Sequence, residues 1–294
     1  MKKLWNNIFL GLSLALIAVW MAVFVYPEKE LHLIACDVGQ GDAILATYGT
    51  TQILIDGGAT NKVVECLGTN MPFWDRKIEV VLLTHPQLDH YGGLSEVFRR
   101  YQVEQFVATS LNSSSQSYQA LISMVGGSGT GVINPTTGMV IRSGLLYLDI
   151  VWPSGDFQAN EGDNLKGNIL GAFTSKRDPN DFSVVANLRL GEFDALFTGD
   201  IGPEIINKVI ATGKIHDVEY IKIPHHGSKN GLIKELLDEA SPEVAIISVG
   251  KNSFGHPHQE TLDLLKEYDI QVKRTDKDGD VELISDEKNW WIKK

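Results

Sequence analysis

The sequence predicts an α/β fold, two packed sheets with helices outside, preceded by one N-terminal transmembrane helix. Three observations lead there. A run of 19 residues without charge, 8–26, stands near the start of the chain. Short strands follow it closely and then give way to strands alternating with helical stretches. Histidines and acids gather just after several apolar strands, where one sheet edge can assemble them into a site.

Only Gly11 and Ser13 interrupt the apolar run. As a helix rising about 1.5 Å per residue, it nearly spans a hydrocarbon core of about 30 Å. Lys2 and Lys3 precede it, and Trp20, Phe24 and Tyr26 near its far end resemble an interfacial aromatic belt. The residues around Val23 and Pro27 are too bulky for a small-x-small cleavage site, so the segment reads as an uncleaved anchor rather than a signal peptide. LIAC at 33–36 mimics a lipoprotein box, but Glu28, Lys29 and Glu30 separate it from the apolar run, and lipidation is rejected. Lysines on the N-terminal side hold that end in the cytoplasm and place the remainder outside it. The expected division is residues 1–27 as the membrane anchor and 28–294 as one folded domain.

Within that domain, 31–36 alternates like a strand and leads into the Gly-rich turn DVGQGDA at 37–43. Strands 43–47 and 52–55 join at Gly49 as a hairpin. The stretch 78–84, apolar but for Glu79 and the closing Thr84, reads as a buried strand, followed by a helix over 92–101. Strands are expected at 145–152, 183–190, 194–198, 219–223, 244–249 and 270–275, with helices at 232–239 and 259–268. Ser- and Gly-rich stretches at 110–116 and 126–131 read as loops. The polar stretch 154–181 is long enough for a lid, a partner surface or a tolerated insertion. DKDGD at 276–280 imitates the start of a calcium loop without its terminal Glu, so a hairpin turn is the better reading. No solenoid repeat is present.

Composition excludes several classes. With 43% hydrophobic and 9% aromatic residues the chain is neither disordered nor collagen-like. Two cysteines, Cys36 and Cys66, cannot staple a chain of this length or make a four-cysteine zinc site, and whether they pair is open. A net charge of −11 argues against a nonspecific nucleic-acid binder.

Six of the eight histidines, at 85, 90, 225, 226, 256 and 258, stand in loops beyond apolar strands. THPQLDHYGG (84–93) offers two imidazoles and a carboxylate within six residues, a donor set suited to a divalent metal. LFTGD (196–200) ends an apolar strand with an acid, and IPHHGS (223–228) and FGHPH (254–258) add histidines at further strand ends. Asp37, Asp42 and Asp56 stand beside glycines and read as turn-formers that support the histidines as hydrogen-bond acceptors. His258 opens the last helix and reads equally as a surface cap. His32 and His216 receive no role.

The order of these motifs resembles the metallo-β-lactamase superfamily and, within it, the hydrolase domain of the ComEC family of DNA-uptake proteins. DVGQGDA (37–43), ILIDGG (53–58), THPQLDHYGGL (84–94), NDFSVVANL (180–188), LFTGD (196–200), IPHHGSKNG (223–231) and GHPH (255–258) carry the resemblance. It implies a four-layer αββα sandwich with a metal site at one edge of its sheets. The superfamily's HxHxDH motif falls on His85, Gln87, Asp89 and His90, so its second histidine is Gln87 here, where ComEC-like members commonly have an acid. Asp200 matches the bridging carboxylate and His225 the last histidine ligand. The histidine expected ahead of the bridging acid is missing, with Asn180 or Asp181 in that region. The metal position served by Asp89, His90, Asp200 and His225 is therefore intact, and the one near His85 and Gln87 is oxygen-rich or weakened. That asymmetry shifts preference from Zn²⁺ toward Mn²⁺, or toward one tight and one loose ion.

A divalent metal supplies hydroxide near neutral pH and polarises the oxygen under attack. Asp89 both ligates and orients that hydroxide, while His226 and His256 protonate the leaving group or hold an oxyanion. Ser228 and Lys229, at the expected helix start, favour a phosphate, and His258 joins them as a substrate-binding candidate. Lys222, Lys229, Lys251 and Arg177 form the candidate basic track toward the site. The leading expectation is a membrane-anchored phosphodiesterase or nuclease, outside the cytoplasm, with DNA as the family-suggested substrate. The alternatives are a hydrolase of another ester or amide there, such as a choline-phosphate ester or a β-lactam, and a non-catalytic binding protein with a decayed metal site. Survival of four ligands on separate segments argues against decay.

Overall fold

The computed structural model describes residues 2–25, 29–162 and 169–293. Helix α1 (Lys2–Val25) contains a stretch, Lys2–Trp20, long and apolar enough to cross a membrane, and none of that stretch is buried within the protein.

The first half of the remainder contains β1 (Leu31–Ala35), β2 (Ile44–Tyr48), β3 (Thr51–Ile55), α2 (Lys62–Asn70) and β4 (Lys77–Leu82). It continues with the single-turn α3 (Leu88–Tyr91), α4 (Leu94–Arg100), β5 (Gln102–Val107), α5 (Gln116–Gly127) and β6 (Gly131–Ile133). The second half opens with β7 (Val140–Ser143), β8 (Leu146–Trp152), α6 (Gly155–Asn160), β9 (Val185–Leu190), β10 (Phe193–Phe197) and α7 (Pro203–Ile210). Then come β11 (Tyr220–Lys222), α8 (Lys234–Ala240), β12 (Val244–Ile247), α9 (Gln259–Glu267), β13 (Gln271–Arg274), α10 (Thr275–Asp278), β14 (Val281–Ser285) and β15 (Trp290–Ile292).

These strands form two mixed sheets, ordered β15-β14-β1-β2-β3-β4-β5-β6 and β13-β12-β11-β10-β9-β8-β7. Alternation along each strand sorts its side chains between two layers. Leu33 and Ala35 of β1 enter the core between the sheets, where Leu148, Ala186, Leu188, Phe197 and Ile246 meet them. Ile34, one residue away, faces the opposite side and packs in the cluster built with α2, α4 and α5. The outer face of the second sheet packs against Ile205, Ile206, Leu236, Leu237 and Leu265 of α7, α8 and α9. The result is helix, sheet, sheet, helix: the αββα sandwich expected from the sequence.

Direction positions the site. Strands β3 and β4 run parallel to each other, as do β10, β11 and β12. Their C-terminal ends deliver Asp56, the segment 84–90, Asp200, His225–His226 and Ser248 into neighbouring loops. The Gly-rich turn seals that edge: Asp42 donates its backbone N–H to the Asp89 carbonyl at 3.1 Å, and Gly57 to the His90 carbonyl at 2.6 Å. Gly41 has φ +129°, and a Cβ there would stand 2.1 Å from the Asp89 carbonyl oxygen. No other residue type fits that position. A disulfide joins Cys36, just past β1, to Cys66 in α2, with Cα atoms 5.9 Å apart.

Several expectations change. Strands β13 and β14 belong to different sheets, and the short α10 lies between them, so 275–280 is a crossover and not a hairpin turn. The helix expected at 232–239 starts at Lys234, because Ile233 is extended (φ −126°, ψ 154°). Ser228 and Lys229 therefore stand in a turn ahead of the helix rather than at its N-terminus. The stretch 154–181 contains α6, capped by the Ser154 hydroxyl, and a 3₁₀ turn at Pro179–Phe182. Residues 163–168 of that expected loop lie outside the described residues.

Candidate metal centre

Ligand atoms of Asp89, His90, Asp200 and His226 all lie within 4.8 Å of one another. His90, Asp200 and His226 are buried, and Asp89 is half-buried at the rim. Asp200 holds the middle: its Oδ2 stands 3.2 Å from His90 Nε2 and 3.3 Å from His226 Nε2. Asp89 Oδ2 is 3.5 Å from the same His226 nitrogen.

Supporting bonds fix which nitrogen faces inward. His226 Nδ1 donates to the Ser248 carbonyl at 2.8 Å, so Nε2 is the nitrogen turned toward Asp200 and Asp89, and it makes no hydrogen bond among the described residues. Asp56, fully buried, accepts from the Thr84 backbone N–H, the Thr84 hydroxyl and His90 Nδ1 at 2.8, 2.8 and 2.7 Å. Since the Thr84 hydroxyl is committed to Asp56, its oxygen accepts from His85 Nδ1 at 3.0 Å. That leaves His85 Nε2 buried with its lone pair unpartnered. Two orphaned imidazole nitrogens with their outer nitrogens anchored are what a metal site requires, so the residues fit a divalent ion.

The charges are tightly matched. Burial works against protonating His90, but Asp200 and then Asp56 outweigh it and push its pKa up to about 10. His226 is raised well above its ordinary value in the same way, against burial, by Asp200 and Asp42. Burial would raise Asp200, yet His226, His90 and Lys222 hold it well below the usual carboxylate range. His85 is pushed down to about 3, chiefly by burial and then by His90, and is neutral. Without an ion, protons on His90 and His226 balance the acids; an ion bound there displaces them.

The structure separates the two adjacent histidines. His226 joins the group, whereas His225, taken from the motif as the ligand, is half-buried and has its ring 5.6 Å from that of His256. Both have left-handed backbone, φ 50° and 54°, which turns consecutive side chains apart. Gln87 is half-buried and precedes α3 without capping it through its side chain. Between the two candidates for the missing histidine, Asn180 has a buried Oδ1 with no partner, and Asp181 is taken by Arg177 at 3.2 Å.

His256 is also half-buried, with its Nδ1 unpartnered, and its pKa is lowered to about 4 by burial and by His225. His258 precedes α9 with its ring 5.5 Å from that of His256, and makes no side-chain cap. Among the described residues, Ser228 Oγ accepts a long bond from the Asn230 N–H, 3.4 Å, within its own turn. Lys229 is exposed and lies 3.6 Å from Glu260.

The basic track does not form as expected. Arg177 is committed to Glu161, Asp181 and Glu204. Lys222 is 1% exposed and paired with Asp42 and Asp200. Lys251 is exposed. Sequence reasoning missed this inner role of Lys222, whose signal is a charge at the end of the otherwise apolar YIKI strand. A buried β11 cannot send a lysine to solvent, so the side chain turns to the acids at the sheet edge.

A family model described as "Metallo-beta-lactamase superfamily" matches residues 36–251. ComE operon protein 3 of Bacillus subtilis is 26% identical over 287 residues, 90% of this chain and 34% of that protein. Recombination protein 2 of Haemophilus influenzae is 26% identical over 252 residues, 84% of this chain and 28% of that protein. The chain thus spans about a third of the length of these curated relatives. Among solved structures, the metallo-beta-lactamase fold protein YhfI from Bacillus subtilis superimposes with a TM-score of 0.54 at 12% identity, over 86% of this chain and 99% of that one.

Proposed function

The chain belongs to the metallo-beta-lactamase superfamily, and from that premise we propose that it is a membrane-anchored, metal-dependent phosphodiesterase acting on DNA outside the cytoplasm. The observation that carries the metal-dependent part is the group Asp89, His90, Asp200 and His226, gathered from three separate strand ends with ligand atoms within 4.8 Å. The motif resemblance to the ComEC family of DNA-uptake proteins, with the similarity to ComE operon protein 3 and Recombination protein 2, supports the substrate class.

These four residues would hold the ion, with His85 and Asn180 available to a weaker second one, and Mn²⁺ suits the oxygen-rich set. A divalent ion bound there lowers the pKa of water toward neutrality and polarises the phosphoryl oxygen. The chain's own groups do the rest. Asp89, at the rim, orients the attacking water, takes up its proton and returns it to the leaving alkoxide oxygen. His256, neutral because burial and His225 lower its pKa to about 4, donates a ring N–H to the developing oxyanion. Ser228 and His258 flank the substrate's path, and Lys229 is the nearby cation for a following phosphate. Two features support the outward orientation: Lys2 and Lys3 ahead of α1, and the Cys36–Cys66 disulfide, which an oxidising compartment favours.

The test is cleavage of single- and double-stranded DNA by the detergent-solubilised full chain with Mn²⁺. Wild type should cut, and Asp200→Ala should lose at least roughly 100-fold. No cleavage by wild type, or equal cleavage by the variant, removes the nuclease reading; hydrolysis of a choline-phosphate ester instead would favour the alternative.

A further inference from the structure

Lys222 stands at the end of β11, paired across the sheet with Phe197 and Ile246, in one of the driest parts of the protein. Its ammonium nevertheless has three acceptors: the Gly199 carbonyl at 2.9 Å, Asp200 Oδ1 at 3.2 Å, and Asp42 Oδ2 in closer contact. Three N–H groups meet three oxygens, so this cation is fully satisfied. Burying an ammonium is costly unless it is both paired and hydrogen-bonded, which explains why the pocket is built so completely.

The pairing divides Asp200 in two. Oδ1 belongs to Lys222, and Oδ2 alone faces His90 and His226. On the Lys222 side a second acidic group waits: ligand atoms of Asp42, Asp56 and His90 also lie within 4.8 Å of one another. Two carboxylates and a carbonyl around one positive centre is a donor set that a hard divalent cation would accept.

We propose that Lys222 is a resident cation, standing between Asp42 and Asp200 where a metal ion would otherwise bind, and confining a divalent ion to the Oδ2 side of Asp200. Lys222 is thus a positioning residue. It holds the bridging carboxylate in one orientation and lets the acid cluster assemble before any ion arrives. This inference rests on the metal-centre reading.

The experiment compares wild type, Lys222→Met and Lys222→Arg as full chains in detergent. Thermal unfolding is followed in chelator and in Mn²⁺, and bound manganese is counted by elemental analysis after desalting. Met keeps the stem and removes the charge; Arg keeps the charge. In chelator, Lys222→Met should unfold at least about 10 °C below wild type, as expected for an uncompensated buried carboxylate pair. Mn²⁺ should restore most of that loss, and the variant should hold one more ion per chain than wild type. Lys222→Arg should keep the wild-type count. A Lys222→Met chain that unfolds like wild type in chelator overturns the inference. So does a loss that Mn²⁺ leaves unrepaired with an unchanged ion count, or an extra ion in Lys222→Arg. If Lys222→Met accumulates only when Mn²⁺ is present during folding, that supports it; if it is insoluble either way, the count in Lys222→Arg decides. Wild type that takes up no Mn²⁺ removes the metal-centre reading by itself, and an ion gained by Lys222→Met alone still identifies Lys222 as its stand-in.

Discussion

His225 and His226 divide at a single peptide bond. Their left-handed backbone sends one ring toward His256 and the other into the acid group. His226→Ala should therefore weaken Mn²⁺ binding by roughly 100-fold or more, and His225→Ala by under about 10-fold, in a calorimetric titration. The reverse order would restore the motif-based assignment. His90 gives a pH signature. With its pKa raised to about 10 in the ion-free protein, the stability from its proton is complete below its unfolded value of about 6.5 and is lost as pH rises through about 10. The denaturation midpoint in chelator should fall across that window, and Asp56→Asn should flatten the fall. An unchanged slope in the variant would exclude the His90–Asp56 coupling. At this scale the sequence was informative about residue types and their order: His85, Asp89, His90 and Asp200 could all be named from strand-end motifs. Which neighbour each would face could not be named. The choice between His225 and His226 depends on two φ angles, and the burial of Lys222 depends on acids 22 and 180 residues away in the chain.

Among the elements, long apolar strands were the most legible and short helices the least. β4 and β9 declare themselves by mostly apolar runs, broken by Glu79 in one and by Asn187 and Arg189 in the other, and the β2–β3 hairpin by Gly49. α2 and α7 have only nine and eight residues, with too few turns for a 3.6-residue period to stand out. Yet α2 carries half of the disulfide. The Cys36–Cys66 bond closes a loop of 30 residues around the Gly-rich turn, β2 and β3. Cys66→Ser should lower stability by about 3–4 kcal/mol on the loop-entropy model, read from the urea midpoint under non-reducing conditions. No loss would mean that the bond does not form in the native protein. Since the same loop contains Asp42 and Asp56, a measured loss should be accompanied by weaker metal binding.

For the whole molecule, charge and shape point in different directions. The fold gathers a candidate metal-binding group at one sheet edge, but the chain carries a net −11. Of the four bases of the expected track, Lys222 and Arg177 are spent on internal ion pairs, leaving Lys229 and Lys251 at the surface. Binding of single-stranded DNA to an Asp200→Ala chain should accordingly be weak. With about two phosphates neutralised, log K should fall against log salt with a slope no steeper than about −2. A slope of roughly −5 would reveal a basic surface that these positions do not account for. The sheet topology carries a different consequence. β14 lies beside β1, in register from Leu31–Ser285 to Ala35–Val281, so strands made about 250 residues apart are neighbours. The first sheet cannot close until nearly the whole chain is available, because its earliest strand waits for one of its last. Such late closure keeps a nascent chain open through synthesis and delays the native state until the last strands are released.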